Sequence, residues 1–424
     1  MTETLAAHFA GQMGQLLGPH FPELIGLAVS GGGDSMAMLT LAHDWARRFG
    51  VGLHVVSVDH GLRPESAAEA ALVARECASL GHSHDILRWT WDGEGNLQDA
   101  ARRARLSLID GWRGDIRHVL FAHTQDDVAE TFLMRLARGS GVDGLSAMAA
   151  QRHVRLNATD AGFTVIRPLL TVSRAALRHH IDVLKVPYVD DPSNDDPRFD
   201  RVKARAVLSE LGIDTGTLAD TARRMERAGT ALRARAAEVA RHAVRPELVN
   251  GCPTGSLLIE RGALGECDRE TQMRLLSGAL RWVASAPYRP RAQGLEGLLD
   301  RVLGGGGGTL HGAQVSLNAQ DIRVFREYEA VKDLRGAVGT LWDRRWVLDA
   351  SDIAALEVAA LGPEGWRQIA EKPADTPPHA AALALPAVFD GTRLVACPAL
   401  GFGSRVEARF RPIADTFTRL LESR

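Results

Sequence analysis

The stretch Leu24–Ser35, LIGLAVSGGGDS, decides the fold. A short apolar run stops at Ser30, then come Gly31, Gly32, Gly33, Asp34 and Ser35, and a helical pattern begins at once. Strand, glycine turn and helix amino-terminus together form a geometry that holds phosphate. Glycines let the backbone approach a ligand closely, and the free N–H groups and positive dipole end of the helix face an anion. Ser30 and Ser35 add hydroxyl donors. Asp34 beside a polyanion implies a Mg²⁺ between them, because a hard cation takes carboxylate and phosphate oxygens together. The loop is neither a Walker GxxxxGK(S/T) loop nor a dinucleotide GxGxxG fingerprint.

Outward from this stretch, strands and helices alternate. Residues 3–17 read as a helix, strand 24–30 leads to helix 35–49, and strand 53–59 leads to helix 65–80. A third strand near 84–90 leads to helix 97–113, and a fourth at 118–124 leads to helix 125–138. Near-continuous apolar strands between amphipathic helices imply a doubly wound, mainly parallel α/β sheet covered on both faces. Ligands in such sheets bind beyond the carboxyl ends of the strands.

After 145 the pattern changes to a hairpin at 153–170, helix 173–184, a polar loop at 188–200 and helix 201–210. The expected organisation is a catalytic domain over 1–215, an Arg-rich helical linker over 216–246, an appended α/β domain over 247–330 and a C-terminal region over 331–424 of unassigned role. Gly304–Gly308 reads as a loop or hairpin turn rather than a phosphate site, since no helix start follows it.

Composition excludes several classes. The formal net charge of −2 does not by itself advertise a nucleic-acid binder. Distribution says more: residues 223–245 hold seven Arg against two Glu, and RFDRVKAR at 198–205 is basic. Either is a candidate phosphate-tracking face, though an exposed Arg-rich helix is also ordinary solvated surface. Cys77, Cys252, Cys267 and Cys397 form no CxxC pair, so no zinc knuckle or iron–sulfur site is indicated. No apolar run approaches the ~20 residues of a membrane helix. The amino-terminal residues lack a basic-then-apolar leader pattern, so the expectation is a soluble cytoplasmic protein.

Three further strings carry chemistry. VDHGLRPES, 58–66, closes a strand with Asp59 and His60 and brings Arg63 to the sheet's carboxyl edge, suited to a nucleotide or RNA phosphate. In NLQDAARRARL, 96–106, Arg102 and Arg105 are three apart and share a helix face. In AHTQDDVAET, 122–131, His123, Asp127 and Glu130 line one side of a strand-to-helix junction with Asp126 beside them. Acids gathered next to a phosphate loop need a cation. Asp and Glu are also common at helix starts, but three acids and a His within eight residues exceed what capping requires.

SGGGDS resembles the signature of the N-type ATP pyrophosphatases, the PP-loop enzymes, which cut ATP between the α and β phosphates. The strings SGGGDS, VDHGLRPES, NLQDAARRAR, AHTQDDVAET, RGSGVDGL, RPLL and DDPSN, in that order, closely resemble the bacterial tRNA(Ile)-lysidine synthetases over about 24–205. A weaker likeness covers 270–327. The resemblance implies an enzyme that adenylates the carbon-2 carbonyl oxygen of the wobble cytidine of tRNA(Ile) with a CAU anticodon. The ε-amine of free L-lysine then attacks that carbon and AMP leaves.

It implies ATP and Mg²⁺ as cofactors, with Ser30, Gly31, Gly32, Gly33, Asp34 and Ser35 on the phosphates and Asp34, Asp126 and Asp127 on the metal. His123 would contact phosphate or the target base, Arg102 and Arg205 would stabilise the adenylated intermediate or tRNA, and Glu130, Asp190 and Asp191 would form an acidic lysine pocket. No membrane partner is implied, and there is room for a homodimer. Three departures from the family pattern stand out: Thr124 where a second His is frequent, Leu106 where Tyr is frequent, and Arg201–Val202–Lys203–Ala204–Arg205 where the family tends to carry Arg-Asn before the final Arg. Alternatives are a tRNA thiolase of the same fold, against which the lack of CxxC argues, and an amide-forming ligase on a small metabolite. A purely RNA-binding protein would not need SGGGDS together with the acid cluster.

Overall fold

The computed structural model describes residues 4–61, 66–91, 93–94, 97–156, 161–190, 198, 200–350, 356–403 and 406–423. Arg63 and Asp191 lie outside the described residues, as does most of the DDPSN string. The chain folds as two compact units, 1–227 and 228–424.

In the first unit, helix α1 (Leu5–Leu17) precedes a strict alternation: β1 (Leu24–Ala28), α2 (Gly33–Phe49), β2 (Gly52–Asp59), α3 (Ser66–Leu80), β3 (Ser83–Arg88), α4 (Leu97–Trp112), β4 (His118–Phe121) and α5 (Gln125–Ala137). A short α6 (Val142–Leu145), the hairpin β5 (Gln151–Val154) and β6 (Phe163–Ile166), α7 (Arg174–Leu184) and α8 (Asp200–Glu210) follow. The division between the units falls within α9 (Thr215–Ala243).

The described strands of this unit form one sheet in the order β3-β2-β1-β4-β6-β5, parallel except for the antiparallel β5–β6 pair. The expected doubly wound architecture is therefore present. Strand order reverses between β1 and β4, and their register places Ala28 opposite Phe121. The glycine loop after β1 and the His123 string after β4 thus leave the sheet at one level, at its topological switch point.

Two apolar layers hold the sheet. Ile25, Leu27, Val55, Leu120 and Ile166 pack on one face against Met36, Leu39 and Leu177, and Val56, Val119, Phe121 and Val165 pack on the other with Ile109. Each fully buried side chain of this size contributes about 1.5–3 kcal/mol. Gly26 is glycine for a packing reason: a Cβ there would stand 3.2 Å from Val119 Cγ2 and 3.3 Å from the Trp112 ring.

The second unit is built on antiparallel sheets. β7 (Val244–Val249), β8 (Cys252–Glu260), β9 (Gly308–Leu310), β10 (Ala313–Leu317) and β11 (Asp321–Arg326) pair in the order β7-β8-β11-β10-β9, with α10 (Arg261–Gly265), α11 (Arg269–Ala284) and α12 (Ala292–Leu303) between β8 and β9 in the chain. Beyond residue 330, β12 (Arg335–Ala337), β15 (Glu357–Ala360), β16 (Pro386–Asp390) and β17 (Arg393–Ala396) form a second sheet. β13 (Leu341–Trp342), β14 (Trp346–Ala350) and β18 (Val406–Phe410) form a third.

Helices α13 (Gly362–Gln368) and α14 (His379–Ala382) connect β15 to β16, and α15 (Phe417–Glu422) returns to place Phe417, Leu420 and Leu421 in the core of α11 and α12. A buried ion network ties β11 to the β13–β14 turn: Asp343 accepts from Arg326 Nη2 at 2.8 Å and from Arg345 Nε at 2.9 Å. The glycine run leads from α12 into β9, where Gly308 pairs with Val315. Among the described residues no helix is long and apolar enough to cross a membrane.

Candidate active site

The glycine loop is shaped by its own backbone and two serines. Gly31 holds φ +88°, a left-handed value suited to glycine. Gly31 O accepts from Val189 N at 2.9 Å, which ties the loop to the segment after α7. Ser35 Oγ donates to Gly32 O at 2.8 Å and accepts from Ser30 N at 3.1 Å, with Ser30 Oγ 3.2 Å away. The two hydroxyls therefore brace the loop rather than stand free. Gly32 caps α2 without a side-chain hydrogen bond, so first-turn N–H groups of α2 remain for an anion. Gly31→Ala is expected to cost about 1–3 kcal/mol through backbone strain alone, since the space around it admits a Cβ. A weaker ATP affinity with the overall fold kept, read by calorimetry and circular dichroism, checks this.

Across the switch point, Thr124 caps α5 in a capping box with Asp127, whose Oδ2 accepts from Thr124 N at 2.8 Å and Thr124 Oγ1 at 2.9 Å. Thr124, the departure from the family string, thus has a defined task. Arg174, the first residue of α7, joins the two sides. Its Nε donates to Asp34 Oδ2 at 3.1 Å, its Nη1 to Glu130 Oε1 at 3.2 Å, and its Nη2 lies 3.7 Å from Asp127 Oδ1. Its backbone N–H donates to Asp126 Oδ2 at 2.8 Å. From α8, Arg205 Nε stands 3.1 Å from Glu130 Oε1 and Arg201 Nη1 stands 3.7 Å from Asp127 Oδ1.

These placements set the charge states. Burial raises the Asp34 carboxyl above its ordinary pKa, partly countered by Arg174. Glu130 is raised for the same first reason, with Arg174 and Arg205 opposing. Burial also works against the charge of Asp127, but the Thr124 N–H, Arg201 and Arg174 hold that carboxyl below the usual range. Arg174 itself is raised, because its three carboxylate neighbours outweigh the loss of water.

The three carboxylates expected to share a metal do not stand together as a ligand set. Among the described residues no three His, Cys, Asp or Glu side chains form a metal-binding group. The physical reason is Arg174, which lies among them as an internal cation, while Asp126 and Asp127 are committed to backbone and cap hydrogen bonds. Asp34 alone keeps a buried oxygen, Oδ1, without a hydrogen-bond partner. That suits a Mg²⁺ held mainly by phosphate and water with one carboxylate.

A second, cationic wall faces this network. Arg105 lies 5.4 Å over the Phe121 ring, and its buried Nε has no hydrogen-bond partner. Loss of water, then Arg102 and Arg201, pull it down to about 10. Arg102 is lowered by the same loss and by Arg152 and Arg201. Such like-charged crowding favours an incoming polyanion. His60 packs edge-on to Trp89 at 5.6 Å, and its pKa is lowered by burial and by Arg105.

A cavity of about 320 Å³ opens between α5, α8 and the α8–α9 turn, lined by Asp126, Glu130, Arg205, Leu208, Ile213 and Asp214. Of the acids expected around lysine, Glu130 lines it. Asp190 does not: it is paired with Arg178 beside the glycine loop, where Gly32 bridges to Val189. Sequence reasoning missed Arg174, Arg201 and Asp214. Arg201 had a signal, its i, i+4 spacing to Arg205, whereas Arg174 had none.

The PP-loop domain family matches residues 5–211. The tRNA(Ile)-lysidine synthase of Ruegeria pomeroyi is 41% identical over 395 residues, covering 90% of each chain. The chain belongs to the tRNA(Ile)-lysidine synthase family. The enzyme of that name from Wolbachia pipientis is 33% identical and covers 76% of both chains. Among solved structures, a tRNA thiolase from Methanococcus maripaludis matches at 16% identity over 52% of this chain and 77% of that one, with a TM-score of 0.43.

Membership makes the protein an ATP-dependent ligase with an adenine nucleotide α-hydrolase-like first unit. Two of its four cysteines are unsuited to sulfur transfer. Cys77 and Cys397 are buried and pushed up by burial to about 11 and about 12, the opposite of a reactive thiolate.

Proposed function

We propose that this enzyme uses ATP to adenylate the carbon-2 carbonyl oxygen of the wobble cytidine in tRNA(Ile) bearing a CAU anticodon, releasing pyrophosphate. The ε-amine of free L-lysine then forms a bond to that carbon, AMP departs with the oxygen, and lysidine results. The observation that carries the reading is the switch-point crevice, where a helix start without a side-chain cap carries Asp34 beside Asp127 and Glu130 around one arginine.

Adenylation converts a poor carbonyl into a good leaving group, so no covalent protein intermediate is needed. The protein's task is positioning and charge neutralisation. The Gly31–Asp34 backbone holds the polyphosphate, and Asp34 Oδ1 is the group that would hold Mg²⁺. When bound, that ion neutralises phosphate charge as the α–β bond breaks. Arg102, Arg105 and Arg201 draw the nucleotide and RNA phosphates to the opposite wall. The cavity beside Glu130 suits lysine: Asp126, Glu130 and Asp214 supply charge for an amino group, and Leu208 and Ile213 supply an apolar wall for its methylenes. The cytoplasm, which holds charged nucleotide pools and tRNA, is the compartment this reading implies.

The deciding experiment incubates the enzyme with ATP, radiolabelled lysine and a tRNA(Ile) transcript with a CAU anticodon. Label is expected in RNA, with one AMP and one pyrophosphate per lysidine. No label in RNA, or sulfur or a labelled small amide in its place, overturns the assignment.

A further inference from the structure

Arg167 follows β6 and is buried. Its Nη1 donates to the Ala149 carbonyl at 2.7 Å, its backbone N–H donates to Ala150 O at 2.8 Å, and its Nε donates to His123 Nδ1 at 3.3 Å. A guanidinium has five N–H donors and no acceptor. The ring nitrogen it meets must therefore offer a lone pair, which leaves the single proton of a neutral imidazole on Nε2.

The surroundings keep the ring neutral and oriented. Phe121 stacks on it at 6.1 Å and 15°. Burial pushes the His123 pKa down to about 3, with Arg167, Arg105 on α4 and Arg201 on α8 acting the same way and Asp127 on α5 opposing. Among the described residues no hydrogen bond engages Nε2.

We infer that Arg167 is a positioning residue that fixes His123 as the Nε2–H tautomer, so that His123 serves the reaction as a neutral hydrogen-bond donor to an oxygen of the nucleotide or the base. With Nδ1 blocked and Nε2 already protonated, His123 is not the base that deprotonates the lysine amine. Only the identity of the acceptor rests on the proposed function; the tautomer does not.

Histidine-¹⁵N labelling of the full-length protein tests this. The His123 resonances are those lost in His123→Gln. In the wild type near neutral pH, Nε2 is expected to be protonated and Nδ1 bare. Arg167→Lys, which still can only donate, keeps that form, whereas Arg167→Met lets the Nδ1–H form or the charged ring appear. Turnover in Arg167→Met falls about tenfold to hundredfold, mainly in kcat, and in the His123→Gln background the same change costs little. A wild-type His123 protonated on Nδ1, or equal losses in both backgrounds, overturns the inference. If Arg167→Met fails to fold, the wild-type spectrum decides. If that spectrum is as expected but no lysidine forms, the proposed function fails while this inference stands.

Discussion

Asp34→Asn lowers ATP-dependent turnover by about 10²–10³-fold or more and leaves the protein folded. Asp34 opens α2 beside the glycine loop and carries a buried oxygen that nothing in the described protein satisfies. Such an atom is costly in the ligand-free protein and fits the Mg²⁺ proposed to accompany ATP.

The same observation sets the sign on stability. Burial holds this carboxyl above its unfolded value, so its stabilising contribution is present below about pH 3.9 and is lost as pH rises through the folded value. At neutral pH the ionised group therefore destabilises the ligand-free protein, and asparagine removes that penalty. Thermal melting near pH 7 should show Asp34→Asn as stable as the wild type or more so, with a smaller upward shift on adding Mg²⁺ and ATP. A variant that melts well below the wild type, or that still turns over, contradicts this placement.

Arg174→Met has the largest expected effect on stability. It leaves Asp34, Asp127 and Glu130 facing one another without their shared cation. Breaking a buried pair by removing one partner costs about 3–5 kcal/mol. The lower half of that range applies, because Arg205 remains on Glu130 and Arg201 near Asp127. Methionine preserves the aliphatic stem, so the loss reports charge rather than volume. Urea unfolding near neutral pH should show it, and the gap to the wild type should narrow as pH falls and the carboxyls take up protons. Arg174→Met with Glu130→Gln should recover part of it. An unchanged unfolding free energy would mean that Arg174 is not the counter-ion of this cluster. Activity also falls, since the three carboxylates lose their common anchor.

Much of the first unit was legible because local physics and fold agree there. The apolar runs that became β1, β2, β3 and β4, the glycine turn and each following helix start lie within a few residues of their expected limits. The hairpin and α7 follow the same rule. Thr124 was read only as a departure, yet its hydroxyl closes the α5 capping box. Sequence proximity shows which charges gather beside the phosphate loop but not that Arg174 lies among them. Arg174 is separated from Asp34 by 140 positions, and no periodicity links the two. Asp190 is expected near lysine from its charge and the family resemblance, and in the structure its carboxylate pairs with Arg178, twelve positions upstream.

What the sequence determined by itself is the chemistry available: a phosphate loop, a carboxylate string, paired arginines and an order of motifs that names the family. These are local properties, set by backbone freedom at glycine, helix caps and the alternation of apolar runs. Only the tertiary structure decided which charges meet. Parallel strand order places β1 beside β4, and α7 and α8 then carry Arg174, Arg201 and Arg205 onto the carboxylates of α2 and α5. Electrostatic energy depends on distance and burial, and neither is encoded at any single position of the chain.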